Sequence, residues 1–190
     1  MKYLQIDSHH DTQIVSTNDL KTHLRITFSD DDTYIAALEK AAVRSIEEFL
    51  NMFLLETDLT QYGNSFADIN ILFKSPVIAG GTFAVAYRSG GAWVNFTSSV
   101  EFVSAIKPPR VYATFNSSIP STDDVFQAWK AEYKVGYASI ALIPDPIIQA
   151  IKIMVADLYE NRQSVIVGKV VNKIPRTAQY LMNQFKIQTL

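Results

Sequence analysis

The chain has 190 residues, 48% hydrophobic and 19% charged, which is enough apolar material for a packed core and rules out a wholly disordered chain. Its net charge of −2 gives no global electrostatic case for nucleic acid or acidic membranes. With no cysteine there is no disulfide framework, no thiolate nucleophile and no thiolate metal site. The length suits a single domain, residues 1–190, carrying a large insertion. The opening MKYLQIDSHHDTQ has no apolar h-region, so the expectation is a protein made and used without export. No apolar run approaches the ~20 residues of a membrane span.

In chain order, Tyr3, Leu4 and Ile6 alternate before a polar stretch through Asp11, which reads as an edge strand or an arm. Ser16 with Asp19 three residues on resembles a capping box. It opens a short helix in which Leu20 and Leu24 form an i, i+4 pair. Asp30, Asp31 and Asp32 supply a cap and negative charge for a second helix. Its apolar stripe is Ile35, Leu38, Ala42, Ile46, Phe49 and Phe53. Ala36, Ala37 and Ala41 leave smooth patches off the stripe, where another backbone can approach. Residues 16–54 are therefore the N-terminal helices.

From residue 55 to 140 the texture changes. Glycines and prolines punctuate short β-prone runs. Candidate strands are Ile69–Phe73, Thr82–Tyr87, Ala92–Phe96, Val100–Ile106, Arg110–Phe115 and Ala128–Tyr137. Ser89-Gly90-Gly91 reads as a hairpin turn. Alternation is strongest in Phe83, Val85, Tyr87 and in Trp129, Ala131, Tyr133, Val135. This is an antiparallel β module inserted between helical halves.

The stretch PDPIIQAIKIMVADLYENRQSVIVG, Pro144 to Gly168, supplies the central helix, expected over residues 144–162. Its prolines set the start, with Asp145 as N-cap. Ile147, Ile148, Ile151, Met154, Val155, Leu158 and Tyr159 form one broad apolar face. A short helix, Thr177 to Phe185, follows the breaker Pro175. No acidic residue follows Glu160. Arg162, Lys169, Lys173, Arg176 and Lys186 make residues 163–190 and their approach a basic segment, which also carries Val165, Ile166, Val167, Val170 and Val171. The fold class is α+β: a small α-helical bundle, with an N-terminal helix pair and a long C-terminal helix, around an inserted antiparallel β module.

Chemical motifs are sparse. His9-His10 lies near Asp7 and Asp11, but neighbours in an extended chain point to opposite sides, so a solvated arm is favoured over a metal site. His23 reads as a partly buried structural histidine. Asp30-Asp31-Asp32 lacks the spacing of a calcium loop, and helix capping accounts for it. Asp123-Asp124 is an ordinary loop signal. No dinucleotide or P-loop glycine pattern, nucleophile elbow or HExxH is present. Tyr87, Trp93, Phe96, Tyr112, Phe115, Trp129 and Tyr133 could stack on bases or sugars, but basic residues do not interleave them, so a module core with a few exposed rings is the better reading. No catalytic, cofactor or metal residue is assigned.

The order of these segments resembles the head–tail connector (adaptor, head-completion) proteins of long-tailed double-stranded DNA bacteriophages, in the branch with a β insertion. The residues that carry the resemblance are discontinuous. They are Leu20-Lys21-Thr22-His23-Leu24-Arg25, Asp30-Asp31-Asp32 leading into Ile35-Ala36-Ala37-Leu38, and Glu47 or Glu48 before Phe49. Further on come Ser75-Pro76-Val77-Ile78, Tyr87 with Gly90 and Gly91, and Tyr133-Lys134-Val135-Gly136-Tyr137. The last are Ile143-Pro144 through Ile147 and Ala150, then Leu158-Tyr159-Glu160-Asn161-Arg162. Phe73-Lys74 and the long segment from Ser104 to Asp124 depart from the pattern.

The resemblance implies a structural virion protein with no enzyme activity and no cofactor. It implies a homo-oligomeric ring, usually twelve copies (a dodecamer), beneath the portal at the head–tail junction. Such a ring completes the head after DNA packaging, extends the channel through which double-stranded DNA passes on ejection, and carries the next neck or tail protein. Assembly would take place in the host cytoplasm. A closed ring needs two heterologous faces per subunit. Ala37, Ala41 and Ile153 are the candidates for them, with internal packing as the alternative. The portal-docking candidates are Arg162, Val165, Ile166, Val167, Lys169, Lys173 and Arg176, with a positive lining toward DNA as the competing reading. Cutting the chain after Asn161 is expected to leave a folded monomer that fails to dock. Two other readings stay open: another neck or tail-completion protein of the virion, and a small ligand-binding or enzymatic domain.

Overall fold

The computed structural model describes residues 2–9, 12–78, 81–104, 106, 108–161 and 174–187. In chain order the elements are β1 (Tyr3–His9), α1 (Thr17–Leu24), α2 (Asp32–Leu50), β2 (Thr57–Gly63), α3 (Phe66–Ile69), β3 (Phe83–Ser89), β4 (Ala92–Asn95), β5 (Val100–Val103), β6 (Arg110–Ala113), β7 (Trp129–Val135), α4 (Asp145–Glu160) and α5 (Arg176–Met182). The chain is α+β. Its contacts divide it into a helical unit, Asp11–Asn51 with Ile140–Lys186, and a β-rich unit, Met1–His10 with Met52–Ser139 and Ile187–Leu190.

The helical unit begins with a reciprocal cap. Ser16 Oγ accepts the Asp19 N–H at 3.1 Å and donates to the Asp19 carboxylate at 2.6 Å, so a donor the helix cannot satisfy itself is used. Both α1 and α2 stop on left-handed residues, Arg25 and Asn51. Asparagine tolerates that conformation better than most residues, and it ends α2 before Phe53. Phe53 therefore leaves the expected helical stripe and joins the core of the β-rich unit. Pro144, not Asp145, takes the N-cap position of α4, and Asp145 and Pro146 form its first turn, where a missing N–H costs nothing.

Leu20, Ile35, Ile46, Leu50, Ile147 and Ile151 are fully buried. Six such side chains contribute on the order of 10 kcal/mol of gross burial energy, most of it offset by chain entropy. Ile174, Ala178 and Met182 are also buried. The basic C-terminal segment thus contains core residues of the helical unit. Cutting after Asn161 removes them, and the expectation of a folded truncated monomer is corrected accordingly.

In the β-rich unit, five antiparallel strands are ordered β1-β2-β7-β3-β4, beside a separate β5-β6 pair. The strand expected at residues 3–6 is the edge strand β1. The hairpin at Gly90-Gly91 is present, and both glycines have positive φ, as a tight turn between twisted strands requires. Strand β7 buries every second residue, Trp129, Ala131, Tyr133 and Val135. Trp129 centres an aromatic cluster, with Phe66, Phe96 and Tyr87 rings at 5.3, 5.4 and 5.4 Å. At Gly136 a Cβ would overlap the Leu55 carbonyl, so this close approach of two backbones needs glycine.

Two readings of this region need revision. Strand β2, TDLTQYG, went unread because polar residues occupy both of its faces. Residues 69–73, expected as a strand, instead begin on the last residue of the short helix α3, Ile69, and then run irregularly, apart from a single bridge at Ile71. The buried Gln61 side chain takes the place of a neighbouring strand for them. Its Nε2 donates to the carbonyls of Asp68 and Ile71 at 3.1 and 2.9 Å, and its Oε1 accepts the Phe73 N–H at 3.1 Å.

Candidate interaction surfaces

Ala37 and Ala41 are exposed on α2, one turn apart. They lie in a solvent-facing row, Tyr34, Ala37, Ala41, Arg44 and Glu48, whose residues recur every three or four positions and so share one side of the helix. Among the described residues neither alanine belongs to the buried core. Ile153 lies on a different helix, α4, and is half-buried. Of the docking candidates, Arg176 is exposed at the first position of α5. Arg162, Val165, Ile166, Val167, Lys169 and Lys173 lie outside the described residues.

Asp31 and Asp32, at the start of α2, are tertiary pins. Asp31 sits at the N-cap position without a side-chain capping bond; its carboxylate accepts the Tyr159 hydroxyl from α4. Asp32 pairs with Lys21 of α1 at 2.8 Å. These contacts hold the ends of three helices together; the expected placement is present, Asp31 at the N-cap position and Asp32 in the first turn, but the carboxylates bond to other helices instead of capping this one. His23 is exposed on α1, against the expectation of partial burial. The His9 ring packs edge-on against Phe53 at 5.5 Å, and His10 and Asp11 lie outside the described residues. Among the described residues no group of three or more His, Asp or Glu side chains could hold a metal ion.

The outer face of the five-stranded sheet holds most of the polar chemistry. Asp7 accepts from Thr60 at 2.6 Å and from Gln5 at 2.8 Å. Asp58 accepts from Ser8. Lys134 pairs with Glu56 and, at 3.6 Å, with Asp58; the hydrogen bond to Glu56 pushes its pKa up. Asp7, Asp58, Thr60, Tyr62, Thr82 and Glu132 line a shallow groove of about 340 Å³. At the other end of this face, Arg88 and Lys130 each sit 4.9 Å from the Trp93 ring, and Tyr62 lies 6.4 Å from the same ring. Such packing shields the ring and both cation stems.

Among the buried polar residues that sequence reasoning missed, Glu39 and Gln61 organise the most backbone. Glu39, at 1% exposure, accepts the N–H groups of Ile14 and Val15 at 2.9 and 3.2 Å. Its signal was a carboxylate four residues after Ile35, on the apolar side of α2. Gln61 carried no comparable signal, because a glutamine in a polar strand reads as surface. Tyr133, whose hydroxyl donates to Gln61 Oε1 at 3.3 Å, has its pKa pushed up by burial.

Comparison with known proteins gives three findings. Residues 15–71 match the family model of the phage gp6-like head–tail connector protein, the family the sequence resembles. No curated protein sequence matches the chain. Among solved structures, a chain in "Virion of native gene transfer agent (GTA) particle" aligns with TM-score 0.77 and 17% identity over 98% of this chain and 96% of that one. A chain in "Neck of empty GTA particle computed with C6 symmetry" gives 0.75 and 18% over 99% and 97%. A chain in "Neck of native GTA particle computed with C12 symmetry" gives 0.73 and 15% over 99% and 97%. At these identities the structural likeness speaks for the fold, and it extends over nearly the full length of both partners.

Proposed function

We propose, from a chain whose residues 15–71 match the family model of the phage gp6-like head–tail connector protein, that it is a structural protein of a particle neck, built as a ring of identical copies between the portal and the next neck or tail protein. The family is a structural one, not an enzyme class. The observation that carries the reading is this match, lying within a chain whose whole fold aligns with a protein of a virion. Twelve copies is the proposed number, supported by a neck determined with C12 symmetry. In that position the ring would complete the head after packaging and continue the channel for double-stranded DNA. Assembly would precede release of the particle from the host cytoplasm.

A closed ring joins unlike faces head to tail. Ala37 and Ala41 on α2, with Ile153 on α4, are the proposed contributors, supported by the exposure of both alanines. Small side chains there let a neighbouring backbone approach closely. The basic run through Arg162, Lys169, Lys173 and Arg176, with Val165, Ile166 and Val167, is the proposed portal-docking segment. Its support is its charge, with no acid after Glu160, which carboxylates on a portal would complement.

Light scattering of the purified protein, alone and mixed with portal, tests the reading. The expected result is a ring-sized species formed alone or on portal. A protein that stays monomeric in both samples sinks it. A ring that ignores portal but binds a later tail component would move the protein further down the neck.

A further inference from the structure

Strand β1 is the outer strand of the five-stranded sheet, and among the described residues no strand pairs with its far side. It is seven residues long, and five of them, Tyr3, Gln5, Ile6, Asp7 and Ser8, are exposed. The opposite edge, β4, has only four residues. Proteins usually blunt an edge of this length with charge (lysine above all), proline, a bulge or a covering element. Tyr3–His9 contains neither lysine nor proline; it carries one charge, Asp7, and one register shift, between Ile6 and Ser8, which leaves Tyr3–Ile6 as its regular stretch. Its main-chain groups are a template for another strand.

The side chains state what that strand should carry. Ile6 pairs with the buried Leu59 and leaves 53% of its own surface exposed, so the core side of the edge calls for an apolar cover. On the other side stand the Asp7 and Asp58 carboxylates, joined by Glu56 and Glu132, against Lys130 and Lys134. With Arg88 at the far end of the same face beside Trp93, four acids stand against three bases, and the surplus charge is negative at the Asp7 and Asp58 end next to β1. A strand added at the ~4.8 Å spacing would lay a lysine or arginine stem across Asp7 toward Asp58.

We propose that β1 is a strand-addition site for an extended segment of another protein chain that alternates apolar and basic residues. Main-chain hydrogen bonds to Tyr3–His9 would give affinity, and Asp7 with Asp58 would select the charge. The site does not depend on ring formation, so its failure would leave the connector reading in place.

The probe is a synthetic peptide of alternating valine and lysine, with a valine–glutamate peptide as control, added to the full-length protein. Hydrogen exchange read by mass spectrometry should slow over residues 3–9 by about tenfold at saturation, as expected when an edge strand gains a paired neighbour. Fluorescence anisotropy should show binding weakened about threefold by each of Asp7→Asn and Asp58→Asn. Exchange of the variants without peptide checks that β1 stays paired with β2. No slowing over residues 3–9, slowing confined to another region, or equal binding of the valine–glutamate peptide would each overturn the proposal. The wild-type arms decide it even if a variant loses the sheet.

Discussion

The carboxylate of Glu39 reaches back from the middle of α2 to the main-chain N–H of Ile14 at 2.9 Å, where the chain enters the helical unit. The same oxygen takes the Val15 N–H at 3.2 Å. A buried carboxylate is costly unless hydrogen-bonded, and here two donors that no helix or strand uses are paired with it. Replacing it leaves both donors buried and unmatched. Glu39→Ala should therefore destabilise the helical unit by about 2–4 kcal/mol, while Glu39→Gln, which keeps an acceptor oxygen, should cost about half as much. Urea denaturation followed by far-UV circular dichroism measures both. Equal losses for the two variants would show that the acceptor oxygen is not what matters.

Gln61 performs the same service in the β-rich unit. Its amide satisfies two carbonyls and one N–H of residues 68–73 and also takes the Tyr133 hydroxyl. Gln61→Leu keeps the volume and removes every one of these bonds. The expected loss is about 2–4 kcal/mol, together with faster hydrogen exchange over residues 68–73. A variant with normal stability and normal exchange there would disprove the organising role of this side chain.

These two residues mark where the sequence stopped being legible. Periodic apolar runs translated directly: α2 and α4 lie where their stripes put them, and β7 follows its strict alternation. The Gly90-Gly91 turn and the Ser16 cap were equally readable, because each is a local solution to a local problem. What failed was structure set by distant partners. β2 carries Thr57, Thr60 and Gln61 buried between two neighbouring strands, and nothing in TDLTQYG announces that burial. Asp31 and Asp32, at the start of α2, invited a capping reading because the partners they found, Tyr159 and Lys21, are invisible at that distance in sequence. The proposed surfaces were legible only as exposed small residues and a charge run, since a partner chain leaves no period in the sequence it binds.

Tyr133 gives the β-rich unit a sensitivity to alkali. Its pKa is raised above the ordinary 10.0 by burial, which disfavours the charged phenolate, with backbone hydrogen bonds from Phe73 and Lys74 opposing. The folded state therefore holds the proton more tightly than the unfolded state does. The stabilisation from the neutral hydroxyl is fully present below about pH 10 and is lost as pH rises from there toward the elevated folded pKa. Denaturation midpoints measured from pH 9 upward should fall beyond pH 10. Tyr133→Phe should flatten that fall while losing the bond to Gln61 at neutral pH. An identical alkaline slope in the variant would assign the effect to other groups.

Ala41 and Ala42 separate the proposed ring contact from the fold by one residue. Ala42 is fully buried against the helical core, and Ala41, about 100° round the helix, is exposed. Arginine at position 41 projects into solvent in the free subunit, so Ala41→Arg should change subunit stability by no more than about 0.5 kcal/mol. At position 42 the same side chain would force a charge into the core, so Ala42→Arg should unfold the helical unit. If the exposed face of α2 joins a neighbouring copy, Ala41→Arg should abolish the ring in light scattering while leaving the thermal midpoint of the subunit in place, and Ala37→Arg should act alike. Serine at either position, which adds little bulk, should preserve the ring. A ring that assembles normally with arginine at both 37 and 41 would remove this side of α2 from the contact and leave Ile153 on α4 as the remaining candidate.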